Sequence, residues 1–118
     1  MSHWHSREFF DADEFGEHAD RMDVAFISQL ELARAAAGVP FEITSAWRSK
    51  EDSKSHWLGK AVDIRAKTSA HRMAIVRGLI LAGFNRVGVY YKTGHVHADS
   101  NTLEDGFPQN VFWIGEGR

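Results

Sequence analysis

The chain has no cysteine, only two prolines and no apolar run long enough to span a bilayer. The absence of cysteine excludes disulfide bonds, thiol catalysis and thiolate metal ligands. It leaves the redox compartment open, because a chain without thiols works in either setting. The N-terminal residues also lack the basic and apolar pattern of a signal peptide, so we expect no export signal of that kind.

The chain also has no large excess of charge of either sign. The formal net charge is −2 with histidine neutral, which gives no reason to expect nucleic acid as a partner. At 118 residues the chain is long enough for one domain with its own core. We therefore predict a single domain over residues 1–118, in which residues 1–20 form an acidic, aromatic arm that packs its phenylalanine rings on the body.

The apolar pattern predicts an α+β fold with two main helices packed on a small antiparallel sheet. One helix is predicted over residues 20–37, with Asp20 as its cap, Asp23 in its first turn and Gly38 at its end. A second helix is predicted over residues 69–81, with Met73, Val76 and Ile80 turned inward. Strands are predicted at 41–46, 61–65, 86–91 and 95–99, and residues 111–114 form an edge strand or simply cover the core.

Candidate metal ligands occur in two separate segments. His56 precedes Asp63 by seven positions, and Asp63 stands between Val62 and Ile64, where a carboxylate is costly unless it is paired or bound to a metal. Further on, His95, His97 and Asp99 alternate, so their side chains share one face of a strand. Two histidines and an aspartate from these segments would make a three-ligand zinc site with an open fourth position. His3 and His5 form another His-x-His pair, but no acidic residue is placed to complete a site with them.

Three motifs in this order resemble the zinc D-Ala-D-Ala carboxypeptidases and related L,D- and D,D-peptidases, a group that also includes lysostaphin-type endopeptidases and the hedgehog signalling domain. The motifs are Ser45–Ser49 (SAWRS), Ser55–Ile64 (SHWLGKAVDI) and His95–Asp99 (HVHAD). The segments Ala82–Tyr90 and Asp20–Pro40 are also similar, so the likeness covers about residues 15–113. The small size is closest to the phage and prophage branch.

The resemblance implies the hedgehog/DD-peptidase fold, and it implies His56, Asp63 and His97 as ligands of one Zn²⁺ per chain. It further implies a metallopeptidase, either a carboxypeptidase or an endolysin-like endopeptidase, that hydrolyses peptidoglycan stem peptides with a zinc-activated water. We expect a monomer without nucleic-acid partner or membrane span. Without a signal peptide, it would be made in the cytoplasm of a bacterial host and reach the cell wall after release, or else be carried on the virion.

The general base is where the chain departs from part of this group. Some members carry an acidic base three residues before the last histidine ligand, and Gly94 occupies that position here. Lysostaphin-like members use a His-x-His pair instead, which indicates His95 as general base or transition-state stabiliser. The alternative role for His95 is a hydrogen bond that only supports the ligands.

Five further residues are candidates for the surroundings of the metal. Arg48 matches the arginine of the group, which would hold a substrate carboxylate or the developing oxyanion, although the group more often has Gly and Tyr where Ala46 and Trp47 stand. Asp99 either orients a histidine ring or ends its strand. Ser55 either forms a hydrogen bond near the site or shapes the loop. Trp57 and Tyr90 are either pocket walls or core residues.

Two readings without this chemistry stay open at the level of sequence. The hedgehog domain is a precedent for a scaffold that binds, so the chain could be a zinc-binding module with no catalytic activity. It could also be a structural phage component, such as part of a tail tip, that retains the peptidase fold.

Overall fold

A computed structural model describes residues 3–117. The elements follow one another as a 3-10 helix at His3–Ser6, a 3-10 helix at Ala12–Arg21, α1 at Val24–Ala37, β1 at Ile43–Ser45, β2 at Ala61–Arg65, α2 at Ser69–Leu81, β3 at Arg86–Tyr90, β4 at His95–Asp99 and β5 at Val111–Gly115. The predicted α+β class is confirmed. Among these residues, no helix combines the length and the apolar character needed to cross a membrane.

The five strands form one sheet in the order β1-β2-β4-β3-β5. Three of the four pairings are antiparallel, whereas β5 runs parallel to β3. The predicted all-antiparallel sheet is therefore wrong at this edge. Residues 100–110 carry the chain from the end of β4 back to the start of β3, so β5 enters the sheet beside β3 and in the same direction.

The two faces of the sheet differ because side chains alternate along each strand. Val62 and Ile64 on β2, with Val96 and Ala98 on β4, belong to the buried core that also contains the inner faces of α1 and α2. The intervening residues of β2 and β4 point to the opposite face. That face carries Asp63, His95, His97 and Asp99.

Helix α1 begins three residues later than the predicted start after Asp20. Asp23 has extended backbone angles, and its side chain accepts a hydrogen bond from the Phe26 amide at 2.9 Å, so Asp23 is the N-cap. Asp20 lies in the preceding 3-10 helix. The predicted end is confirmed, since Gly38 adopts the left-handed conformation with φ of 70°.

Helix α2 has the predicted bounds but a different inward face. Met73 and Ile80 are 66% and 53% exposed, whereas Ile75 and Leu79 are buried. Of the three residues predicted to face inward, Val76 alone packs against the core. The reason is the contact between the two helices: a Cβ atom at Gly78 would lie 2.5 Å from the Ala33 carbonyl oxygen of α1. This close approach fixes the rotation of α2, and an apolar pattern on almost every side of the helix could not reveal it.

The N-terminal arm is more helical than predicted, and it packs its aromatic rings on the body as expected. Phe10 and Phe15 are buried in the core, and their ring centroids are 5.6 Å apart. The Glu31 carboxylate of α1 accepts hydrogen bonds from the backbone amides of Phe9 and Phe10 at 3.0 and 2.9 Å. These bonds tie the arm to α1.

Gly59 joins the loop that carries His56 to the start of α1, and we predict that replacing it destabilises the fold. Its carbonyl accepts a hydrogen bond from the Asp23 amide at 2.9 Å, its φ is +75°, and an added Cβ would collide with the Arg21 carbonyl group. We expect Gly59→Ala to lower the free energy of unfolding by about 2–4 kcal/mol in denaturant titrations, since strain and collision add.

Gly38→Ala is the matched control for this experiment. Gly38 also has a positive φ, of +70°, but nothing lies within 4 Å of its added Cβ. Gly38→Ala should therefore lower the free energy of unfolding only by the conformational strain, about 1–2 kcal/mol. Equal losses in the two variants would contradict the collision.

Candidate metal centre

Strand pairing brings together residues that are far apart in the sequence. In the register of β2 with β4, Asp63 lies directly opposite His97. His56 arrives from the loop before β2 and is fully buried, with its Nδ1 atom 2.6 Å from the Ala46 carbonyl oxygen. One ligand atom from each of His56, Asp63 and His97 lies within 4.8 Å of the other two, so the three residues could bind a metal ion.

The hydrogen bond of His56 determines its tautomer. A carbonyl oxygen only accepts hydrogen bonds, so Nδ1 of His56 carries the ring proton and donates a hydrogen bond to the Ala46 carbonyl oxygen. Burial lowers the pKa of His56 to about 4, and the ring is therefore neutral near pH 7. Its unprotonated Nε2 atom faces the Asp63 carboxylate, with Oδ2 at 3.7 Å. Two atoms that both hold lone pairs thus face each other.

His97 is fixed in the opposite tautomer. Its Nε2 atom lies 2.6 Å from Oδ2 of the buried Asp99, so Nε2 donates and Nδ1 is left to face Asp63 Oδ1 at 3.1 Å. Burial by itself lowers the pKa of His97, but the hydrogen bonds to Asp63 and Asp99 outweigh it and raise the pKa above the usual value. Without a metal, a second proton on His97 satisfies the Asp63 carboxylate.

The chemistry of this donor set fits a divalent metal. The Nε2 atom of His56, the Nδ1 atom of His97 and the Asp63 carboxylate converge, and each ring nitrogen is oriented by a hydrogen bond on its other side. Two neutral imidazoles and one carboxylate are a known catalytic zinc set, in which a fourth position stays open. A cation at their meeting point satisfies all three electron-pair donors at once.

A chain of buried groups behind His97 holds it in place. The Asp99 side chain is fully buried and accepts a hydrogen bond from Arg86 Nε at 2.6 Å and from the Asn101 amide at 3.1 Å. Burial alone would raise the pKa of Asp99, but the hydrogen bonds with His97 and Arg86 outweigh it and hold the pKa below its usual range. Asp99 is therefore an ionised acceptor for His97, which is the arrangement that orients metal-binding histidines.

Arg86 is one of two residues of this site that sequence reasoning missed. Its guanidinium also donates to the Pro108 carbonyl oxygen at 2.7 Å, and it lies over the rings of Phe107 and Trp113, at 4.8 and 5.2 Å from their centroids. The signal in the sequence is an arginine at the start of an apolar strand. The pairing of Gly88 with His97, which places Arg86 on the face of His97, is given by the structure alone.

His95 lies on the same strand face beside the ligands. Its Nε2 atom is 3.8 Å from Asp63 Oδ1, its Nδ1 atom is 2.7 Å from the Thr93 hydroxyl, and its ring stacks on Tyr90 at 4.7 Å. Burial lowers the pKa of His95, although the charge of Asp63 opposes this. His95 is therefore a neutral imidazole that can accept a proton. Thr93, which sequence reasoning did not single out, orients its ring.

The ligands open onto a cleft of about 510 Å³. Arg48, Ser55, Tyr90 and His95 all line it, so of the two positions expected for Tyr90, a pocket wall or the core, the structure shows the pocket wall. The Nε atom of Arg48 is buried and has no hydrogen-bond partner among residues 3–117. Because Arg48 lines the cleft, its positive charge would attract an anionic group there.

The remaining expectations for site residues concern Trp57 and Gly94. The Trp57 side chain lies in a neighbouring cleft instead of the one that holds the ligands. Gly94 is buried in the turn before β4 with φ of +69°, and an added Cβ would lie 2.6 Å from Lys67 Cδ. This turn therefore disfavours any side chain, including an acidic one, at the position where some zinc peptidases carry their base.

Comparison of the chain with protein-family models, with curated proteins and with solved structures gave no match. The assignment of a function therefore depends on the geometry of the site and on the motifs.

Replacing Asp63 should abolish metal binding. Asp63→Asn keeps the shape of the side chain but removes the charge that faces both histidines, so we expect zinc content after dialysis to fall from one equivalent per chain to near zero, as measured by elemental analysis. His5→Ala is the matched control, because His5 is exposed and lies outside the group. Retention of full zinc by Asp63→Asn would refute the ligand assignment.

Asp99→Asn should weaken zinc binding without removing a ligand. The amide cannot match the carboxylate as acceptor for both His97 and Arg86, so the orientation of His97 is lost and zinc affinity should fall about 10- to 100-fold. Competition with a chromophoric chelator measures the effect. Asp105→Asn, which removes a carboxylate that pairs with Lys60 instead, should leave the affinity unchanged. An equal effect of the two substitutions would contradict the orienting role of Asp99.

Proposed function

We propose that the chain is a zinc metallopeptidase of the hedgehog/DD-peptidase fold that hydrolyses peptide bonds in peptidoglycan stem peptides. The observation that carries the proposal is the convergence of His56, Asp63 and His97 in one cleft, with the neutral imidazole of His95 and the unpartnered Nε atom of Arg48 beside them. The substrate class comes from the resemblance of the three motifs to the peptidoglycan peptidases.

The residues divide the work of hydrolysis among themselves. His56, Asp63 and His97 would hold a zinc ion, which would supply a Lewis acid for the carbonyl group and a bound water with a pKa lowered to about 7. His95 accepts a proton at Nε2 and returns it to the leaving amine. In the tautomer that this role requires, Nδ1–H of His95 donates to the Thr93 hydroxyl at 2.7 Å and Nε2 is free to accept the proton. Arg48 binds either the substrate carboxylate or the oxyanion that develops at the carbonyl.

Two imidazole nitrogens and one carboxylate, without thiolate, suit zinc or another transition metal such as Fe(II) better than magnesium or calcium, which prefer oxygen ligands alone. Within that group of metals, the choice of zinc comes from the resemblance of the three motifs to the zinc peptidases. The absence of cysteine from the chain removes the ligands that favour copper(I) and iron–sulfur clusters.

A second function is favoured by one observation. Gly94 occupies the position of the acidic base in part of the resembling group, and its turn disfavours a side chain there. If His95 does not act as base, the same centre would serve a zinc-binding module without turnover. The role of His95 therefore distinguishes an enzyme from a binding module.

We predict that His95→Ala lowers the turnover number about 10²- to 10⁴-fold and leaves zinc content at one per chain, since His95 moves protons but does not hold the metal. The assay is digestion of purified peptidoglycan fragments by the zinc-loaded protein, followed by mass spectrometry of the new termini. His71→Ala, on the exposed side of α2, is the control histidine and should digest normally.

Two outcomes would count against parts of this account. Undiminished cleavage by His95→Ala would remove His95 from the mechanism. Absence of cleavage by the unmodified protein, with zinc confirmed at one per chain, would favour the binding module.

A further inference from the structure

The cleft of the metal centre adjoins a second cleft on the side of the loop that carries His56. The second cleft has a volume of about 460 Å³, and Lys54 and Phe107 line both. Its other walls include Trp57, Leu58 and Lys50. Lys54 and Phe107 therefore form the border between the two clefts, which an extended ligand in the first cleft would cross to reach the second.

The second cleft combines a flat apolar wall with positive charge. The Trp57 ring is 37% exposed, and Lys50 Nζ lies 5.0 Å from its centroid. Neither Lys50 nor Lys54 forms an ion pair within residues 3–117. The acidic residue of this cleft, Asp105, is already engaged by Lys60 and by the Thr102 amide.

The positive charge is confined to residues that line the cleft, because the exposed Glu51 and Asp52 of the same loop line neither cleft and the chain as a whole carries a formal charge of −2. Arg48 and Lys54 add positive charge to the cleft of the metal centre, whereas Arg86 in its wall is paired with Asp99, and Asp63 also lines this cleft. A positive cleft raises the local concentration of anionic ligands and disfavours cationic ones. The aromatic wall adds apolar contact area for an extended chain.

We propose that the second cleft is a substrate-binding subsite for an acidic, extended peptide segment, with apolar atoms on Trp57 and a carboxylate between Lys50 and Lys54. The inference deepens the proposed function, because it names where the substrate lies beyond the cleaved bond and which charge it carries there. The subsite makes the enzyme select long acidic substrates over short or neutral ones.

The test measures binding apart from cleavage. Three fluorescein-labelled hexapeptides of alternating Glu-Leu, Gln-Leu and Lys-Leu are titrated with the zinc-loaded protein by fluorescence anisotropy, and mass spectrometry checks that each peptide stays intact. We expect the Glu-Leu peptide to bind most tightly. The double variant Lys50→Glu/Lys54→Glu should weaken its binding about tenfold and should reverse the preference in favour of the Lys-Leu peptide.

Two further variants locate the effect. Trp57→Ala keeps the backbone carbonyl that accepts a hydrogen bond from Trp47 Nε1, so it removes the aromatic wall and the contact of that wall with Lys50, and it should weaken all three peptides. Arg77→Glu changes an exposed cation on α2, and it should alter none of them. Raising the salt concentration should reduce the preference for the Glu-Leu peptide but not the contribution of Trp57.

Failure of the subsite and failure of the proposed function give different results. Equal affinities for the three peptides, or an unchanged preference in the double variant, would overturn the subsite even if peptidoglycan fragments are cleaved. A charge preference that the double variant reverses would support it even if no cleavage occurs.

Discussion

The site depends on one electrostatic constraint. The Asp63 carboxylate faces one nitrogen of each of two imidazole rings, and the other nitrogen of each ring already forms a hydrogen bond elsewhere. The Ala46 carbonyl oxygen accepts a hydrogen bond from the only N–H group of the neutral His56 ring, and Asp99 accepts one from Nε2 of His97. Within residues 3–117, the Asp63 carboxylate is thus left without a hydrogen-bond donor unless His97 gains a second proton. A metal ion removes this conflict, and it competes with that proton for the same place.

The rest of the structure serves to hold these orientations. The antiparallel pairing of β2 with β4 sets Asp63 opposite His97. The apolar residues that alternate with the site residues along these two strands pack against the helices in the core. Arg86 connects three parts of the chain, because it belongs to β3, binds Asp99 of β4 and donates to Pro108 of the segment before β5. Parallel placement of β5 beside β3 also brings Trp113 to the face of Arg86. A buried arginine of this kind is stable only while its partners remain in place.

Local signals in the sequence were sufficient for the parts of the fold that neighbouring residues determine. The bounds of β2, α2 and β4 agree with the alternation and periodicity of their residues, and Gly38 ends α1 as expected. Contacts between distant segments were not accessible in this way. The inward face of α2 depends on Gly78 against α1, and the direction of β5 depends on the path of residues 100–110.

In the candidate site as well, some residues could be predicted from local patterns in the sequence and others depend on contacts between distant segments. His56, Asp63, His95 and His97 could be singled out because their residue types and spacings are unusual for a small apolar strand pair. Arg86 and Thr93 could not be singled out with equal ease. Arg86 acts on His97 through Asp99, which lies on another strand, and Thr93 acts through its hydrogen bond to His95. The position of Trp57 in the second cleft depends on the path of the loop and not on a pattern in the sequence.

The most direct test of the account is a crystal structure of the zinc-loaded protein with anomalous diffraction data collected on both sides of the zinc absorption edge. The account predicts one strong anomalous peak, about 2.0–2.2 Å from His56 Nε2, from an Asp63 carboxylate oxygen and from His97 Nδ1. His97 Nε2 should remain hydrogen-bonded to Asp99 in that structure. A zinc peak bound elsewhere, or an empty site with Asp63 paired to a protonated His97, would contradict it.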